Sequence, residues 1–200
     1  MPRTGLTPIE IKEKAIDLTI ESMREQGFEK VRLVDIAKEI GVSHAALYSH
    51  FQDKSALLDA VSERWLNKID KDLTAIYEKK GNPCEKILNW ILTLHRAKLE
   101  KIKNDPELFR AFNSSIELKN KHFAHRHMEL MQVQMVGLVN EAIEKKRLRN
   151  ADPEMMASVI REATLSFHHP KLVAQYLNEK REPLLRLTVE TVLKGLKLKD

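Results

Sequence analysis

Four times in this 200-residue chain a proline directly follows a residue that can cap a helix: Thr7-Pro8, Asn82-Pro83, Asp105-Pro106 and Asp152-Pro153. Proline has a fixed φ and no amide hydrogen, so a helix tolerates it in the first turn and resists it further in. A Thr, Asn or Asp just ahead accepts one of the amides that the first turn leaves unpaired. Thr7-Pro8-Ile9-Glu10 adds a Glu at the third helical position, which completes a capping box. Behind it Ile9, Ile16, Ile20 and Met23 recur at helical spacing, widened by Ile11, Ala15 and Leu18, until Gly27 stops the pattern. No run alternates with period two for long enough to make a strand. The fold class expected is all-α, with helices over 8–26, 33–40, 44–50, 54–79, 83–103, 106–113, 116–148, 153–168, 171–179 and 182–197. Pro170 is expected to break or bend the helix that starts at Pro153. The short helices crowd the first quarter of the chain. A three-helix N-terminal domain over 1–53 is therefore expected, with a helical bundle over 54–200 and helix 54–79 as the joint.

Several function classes fall away at this point. No stretch is long and apolar enough to span a membrane, and the charged opening residues contain no apolar signal core, so a cytoplasmic protein without membrane contact is expected. Cys84 is the single cysteine, which excludes an internal disulfide framework. No nucleophile elbow, glycine-rich phosphate loop or zinc-protease pattern occurs, and neither catalysis nor a cofactor is expected. The net charge of +5 is unevenly spread: residues 1–60 carry −2 and the remainder +7. An anionic partner for the N-terminal part has to be argued from local geometry.

That geometry is in Val31 to Leu58. Ile36, Ala37 and Ile40 make one apolar face of a two-turn helix, and Gly41 ends it where a positive φ is needed. Val42 plugs the corner and Ser43 caps the next helix. Ala46, Leu47 and Phe51 face inward, leaving Ser43, His44, Ala45, Tyr48, Ser49 and His50 outside. From Ser43 to Phe51 there is no acidic side chain, although Glu39 and Asp53 flank the stretch. A short helix, a glycine turn and a second helix with a polar outer face is the helix-turn-helix pattern, whose second helix enters the major groove of duplex DNA.

The residues Gly27-Phe28, Val34-Asp35-Ile36-Ala37, Gly41-Val42-Ser43, Leu47-Tyr48, His50-Phe51, Lys54 and Leu57-Leu58 resemble the TetR family of bacterial transcriptional regulators, over about the first third of the chain. The resemblance implies a DNA-binding N-terminal domain and a C-terminal body that binds a small-molecule effector and forms a homodimer. By position it implies that Tyr48 and Lys54 contact phosphates and that Ser43, His44 and Ser49 sit towards the groove, with Arg32, Ala45 and His50 beside them. His44 stands where members often carry Lys or Arg, and Ala45-Ala46 replaces a small or hydroxylic pair, which weakens the grip on phosphate. Two other readings remain open: a DNA-binding regulator controlled by a protein partner, and a helical interaction protein without DNA contact.

For the body, Trp90, Leu94, Phe112, Phe123, His127, Met131 and Phe167 are candidates to line an effector cavity between helices. Ordinary core packing is the plain alternative for each. His122 and His125 lie three apart on a helix, a spacing that can share a metal, but Lys119, Lys121 and Arg126 beside them repel a cation, so no metal site is expected. Ile160, Thr164 and Phe167 on one helix, with Leu184, Thr188, Thr191 and Val192 on the last, are candidates for a homodimer interface.

Overall fold

The computed structural model describes residues 5–114 and 121–197, apart from the side chains of 112–114. It contains ten α-helices among the described residues: α1 (Pro8–Gln26), α2 (Leu33–Ile40), α3 (His44–Tyr48), α4 (Lys54–Glu78), α5 (Pro83–Asn104), α6 (Pro106–Ser114), α7 (His122–Glu144), α8 (Pro153–His168), α9 (Pro170–Gln175) and α10 (Glu182–Gly195). A 3-10 turn, Phe28–Lys30, follows α1, and no described residue lies in a strand. The all-α class expected from the proline pattern is the observed one.

Packing divides the chain into two compact units, 1–66 with 105–124, and 67–104 with 125–200. The divide expected at 53/54 falls instead inside α4. Leu57 and Val61 of α4, and Leu108 of α6, are buried in the same core as Ile11, Ala15, Ile16, Met23, Ile36 and Leu47. A helix that supplies apolar side chains to a core belongs to it, whatever loop precedes it.

The first unit owes its shape to local rules that the residues announce. Thr7 Oγ1 accepts from the Glu10 amide while the Glu10 carboxylate accepts from the Thr7 amide at 2.7 Å, closing the capping box of α1. Gly27, at φ 87°, stops the helix. Its neighbour Phe28 donates its amide to Glu107 at 3.2 Å, and Arg24 pairs with Asp105. These two contacts, one at each side of Pro106, fasten the start of α6 to the end of α1 and explain why 105–124 returns to this unit.

The second unit packs α5 against α8, α9 and α10, and α8 against α10. Its core includes Ile87, Trp90, Ile91, Leu94, Leu138, Val139, Ile160, Phe167, Leu185 and Val189. Helix α7 is shorter than the 116–148 expected. It starts at His122 and ends at Glu144, where Lys146 adopts φ 54° and the Arg147 and Leu148 amides turn back to the Ala142 carbonyl. That closure normally uses glycine, and a lysine at the left-handed position gave no sequence signal. Residues 116–120 of the expected helix lie outside the described residues. Pro170 acts as expected: α8 stops at His168 and the proline opens α9.

Candidate functional site

The helix-turn-helix corner forms as its residues dictate. Gly41 takes φ 82° in the left-handed region, and its amide donates to the Ala37 and Lys38 carbonyls. The Val42 amide also reaches the Ala37 carbonyl, so the chain leaves α2 through a closed turn. Ser43 then caps α3, its hydroxyl oxygen accepting from the Ala46 amide at 3.1 Å. Leu47 anchors the short helix with no exposed surface, and Phe51 follows it inward. Complete burial of a leucine stabilises by about 2–3 kcal/mol, which a five-residue helix with few internal bonds requires from its surroundings.

The outer face of α3 is the first candidate site. Ser43, His44, Ala45, Tyr48 and Ser49 are exposed and His50 is half-buried. Tyr48 keeps 41% of its surface, a large value for an aromatic side chain, and its ring meets that of His44 edge-on at 4.2 Å between centroids. The Ser49 hydroxyl donates to the Ala46 carbonyl at 2.7 Å, and Ser49 with His50 lies just past the helix rather than within it. The structure thus brings six of the eight expected DNA-facing residues to one short surface. Arg32 and Lys54 differ. Arg32 Nε donates to Asp35 at 2.8 Å, a pair exposed enough to be exchangeable. Lys54 Nζ donates to the Glu29 carbonyl at 2.6 Å, so one of its three hydrogens closes the 3-10 turn. No carboxylate lies between Ser43 and Phe51, and the Asp53 carboxylate is occupied in accepting the Ala56 amide at 2.8 Å. A face of hydroxyls and imidazoles fits phosphate oxygens and base edges.

The second candidate site is in the body. A cavity of about 80 Å³ lies between α5, α7 and α8, walled by Trp90, Leu94, Met131, Met135, Ala157 and Thr164 among others. Of the residues expected to line an effector cavity, Trp90, Leu94 and Met131 line this one. Phe167 is buried in the same unit against His95 and Arg181 instead. Phe123 is buried but belongs to the first unit, and the side chain of Phe112 lies outside the described residues. His127 is buried and hydrogen-bonded to Asp70 of α4, not on the cavity wall described above.

That pair belongs to a polar seam that sequence reasoning missed. His127, Gln134 and Glu141 stand seven apart on α7, a spacing that returns to nearly the same helix face. His127 meets Asp70, with buried Lys98 of α5 acting on both. Gln134 accepts from Trp90 Nε1 at 2.8 Å and donates to Thr74 Oγ1 at 2.8 Å. Glu141 pairs with Lys86 at 2.7 Å, and the Lys86 ammonium lies over the Tyr77 ring. Between these layers the helices come close: a Cβ added to Gly137 would lie 2.6 Å from Tyr77 Oη. Burial pushes the Lys98 ammonium down to about 8, with Asp70 pulling the other way. Burial also lowers His127 despite its bond to Asp70, and its Nε2 has no hydrogen-bond partner among the described residues. The missed signal was the seven-residue recurrence of polar side chains on an otherwise apolar helix.

The expected dimer residues divide sharply. Ile160, Thr164 and Phe167 are buried within the chain's own second unit, and the Thr164 hydroxyl donates to the Ile160 carbonyl of its own helix. They are core, because the inward stripe of α8 is spent on α5 and α10. Leu184 and Thr191 are exposed, and Thr188 and Val192 are half-buried. Leu187 on α10, with Met155 and Val159 on the outer side of α8, adds further exposed apolar surface.

Residues 83–187 match the family model described as tetracyclin repressor-like, C-terminal domain, and residues 15–61 match the one described as bacterial regulatory proteins, tetR family. The chain is similar to the HTH-type transcriptional regulator BetI of Brucella suis, 32% identical over 87 residues, which span 44% of this chain and 43% of that relative. Its fold is similar to that of a transcriptional regulator from Pseudomonas aeruginosa PAO1, with TM-score 0.71 at 17% identity over 97% of this chain and 94% of that one. It is similar also to the fold of the regulator FadR from Bacillus subtilis, solved in complex with stearoyl-CoA, with TM-score 0.63 at 16% identity over 92% and 98% of the two chains. No described helix is long and apolar enough to cross a membrane. The match over more than half of its length places this chain in the tetR family of bacterial regulatory proteins.

Proposed function

We propose that this protein is a ligand-responsive transcriptional regulator, not an enzyme, that binds a pseudo-palindromic operator as a cytoplasmic homodimer and represses. The observation that carries the reading is the surface of α3: nine residues without a carboxylate, pinned from beneath by Leu47 and presenting Tyr48, His44 and Ser43 outward. One short helix reads few base pairs, so a two-fold particle is needed to specify a site. Exposed Met155 and Val159 on α8, with Leu184 and Leu187 on α10, supply apolar surface that a second copy would cover. Control comes from a ligand in the body that binds one of two conformations more tightly than the other. The helix that would carry the effect is α4, whose residues belong to both units. FadR, seen with stearoyl-CoA, is a fold relative in which a ligand is bound.

Binding of a fluorescent duplex taken from upstream of the protein's own coding region tests the reading. Tyr48→Ala should weaken binding about tenfold, as expected for a lost phosphate contact, and leave the melting temperature unchanged. Undiminished binding by that variant, or no binding by the intact protein, overturns the proposal. Sedimentation should give a dimer that Leu187→Glu converts to monomer.

A further inference from the structure

The walls of the body's cavity state what kind of molecule would be at home in it. Most of the lining is apolar, and three of its residues, Met128, Met131 and Met135, come from successive turns of α7. Methionine side chains are unbranched and adapt to what they touch. At about 80 Å³ the space holds two or three waters, at about 30 Å³ each, before any methionine moves. Larger guests therefore enter by displacing thioethers, not by breaking a rigid wall.

The polar groups are few and of one sign. Among the described residues, Arg161 of α8 is the one lining residue with a permanent charge, and no carboxylate lines the cavity. Its guanidinium donates to Gln132 Oε1 at 3.1 Å and to Glu162 at 3.4 Å. The Glu162 side chain is 63% exposed, so solvent screens that pair and leaves it readily exchanged. His168, about two turns beyond Arg161 on the same helix, also lines the space. Burial pushes its imidazole down to about 4; a hydrogen bond to the Arg161 main chain pulls it up, while Lys98, Arg161 and His169 add repulsion. Asp70, whose charge acts on Lys98, is engaged with His127. The Thr164 hydroxyl is spent on its own helix.

A cationic guest would meet Arg161, whose only acidic neighbour named above, Glu162, is solvent-exposed and does not line the cavity. A neutral guest would gain only apolar burial. An anion gains a guanidinium able to hold a carboxylate through two parallel hydrogen bonds. It also meets an imidazole kept uncharged by burial and by cations whose field the anion would offset. Resting on the reading of this protein as ligand-responsive, we propose that the cavity takes a short monocarboxylic acid, its apolar tail between Trp90 and the α7 methionines and its carboxylate against Arg161 and His168.

Hexanoate, hexanol and hexylamine serve as acid, neutral and cationic probes of equal length. In a Trp65→Phe background Trp90 is the remaining tryptophan and reports the cavity directly. Hexanoate should quench Trp90, raise the melting temperature and bind about tenfold more tightly than hexanol, with hexylamine weakest. Arg161→Gln changes a half-exposed side chain and should keep hexanol binding while removing the preference for the acid. Equal binding of acid and alcohol, a preference that survives Arg161→Gln, or no response to any of the three overturns the carboxylate assignment. Operator binding by the same preparations is scored separately, so the regulator reading stands or falls on its own result.

Discussion

The two units bury their polar groups in opposite ways. In the first, Thr19 donates to the Ala15 carbonyl at 2.6 Å and Ser62 to the Leu58 carbonyl at 2.9 Å, each within its own helix. Asp105 is the exception, paired with Arg24. In the second, Lys86, Lys98, His127 and Gln134 reach from one helix to another across the interior, while Thr164 is the exception and bonds within α8. A unit that presents one fixed surface is held by apolar packing, which has no preferred partner to lose. A unit that answers a ligand holds charges and imidazoles whose energies depend on what stands beside them. The difference matches the division of labour proposed above: a rigid reader and a responsive body.

The contrast breaks most readily at Asp70. Asp70→Ala removes a negative charge that acts on buried Lys98 and leaves His127 Nδ1 without its bonded carboxylate. It should lower stability by about 3–5 kcal/mol, measured by urea unfolding followed through Trp90. A loss below about 1 kcal/mol would mean that the polar seam contributes little and that the two interiors behave alike. Acid should come next in effect. His168 is held neutral, with its folded value near 4 against about 6.5 when unfolded, and His127 is shifted in the same direction. Below pH 6.5 the unfolded chain takes up protons that the native state refuses. Stability is therefore fully present above that pH and falls towards pH 4. His168 alone should cost about 2 kcal/mol between pH 7 and pH 5. His168→Leu should flatten that slope, and a slope unchanged in the variant would remove His168 as its source. The smallest effect falls in the other unit. Ser43→Ala removes the cap of α3 and should cost about 1 kcal/mol, with the operator contact weakened in step. An unchanged melting temperature would show α3 to be held by Leu47 alone.

The sequence made much of the reader legible. The capping box at Thr7, the stop at Gly27, the left-handed Gly41 and the cap at Ser43 are all where their residue types place them. The body was legible as helices but not as a site. Trp90, Leu94 and Met131 were found because aromatic and sulfur side chains stand out. Arg161 and His168 were not, because a surface arginine and a helix-terminal histidine look ordinary until the fold brings them to one cavity. The inward and outward stripes of α8 and α10 were likewise indistinguishable, and Ile160, Thr164 and Phe167 were set on the wrong side. Both stripes are apolar, and only packing shows which is already covered.

What the residues alone determined is the set of boundaries and corners, because caps, prolines and positive-φ glycines act over three or four residues of chain. Only the tertiary structure decided which charges share an interior. Asp70, Lys98 and His127 meet across α4, α5 and α7, and Arg161 and His168 meet Trp90 across α8 and α5. Contacts of that range are fixed by how helices pack, and no local pattern of residues records them.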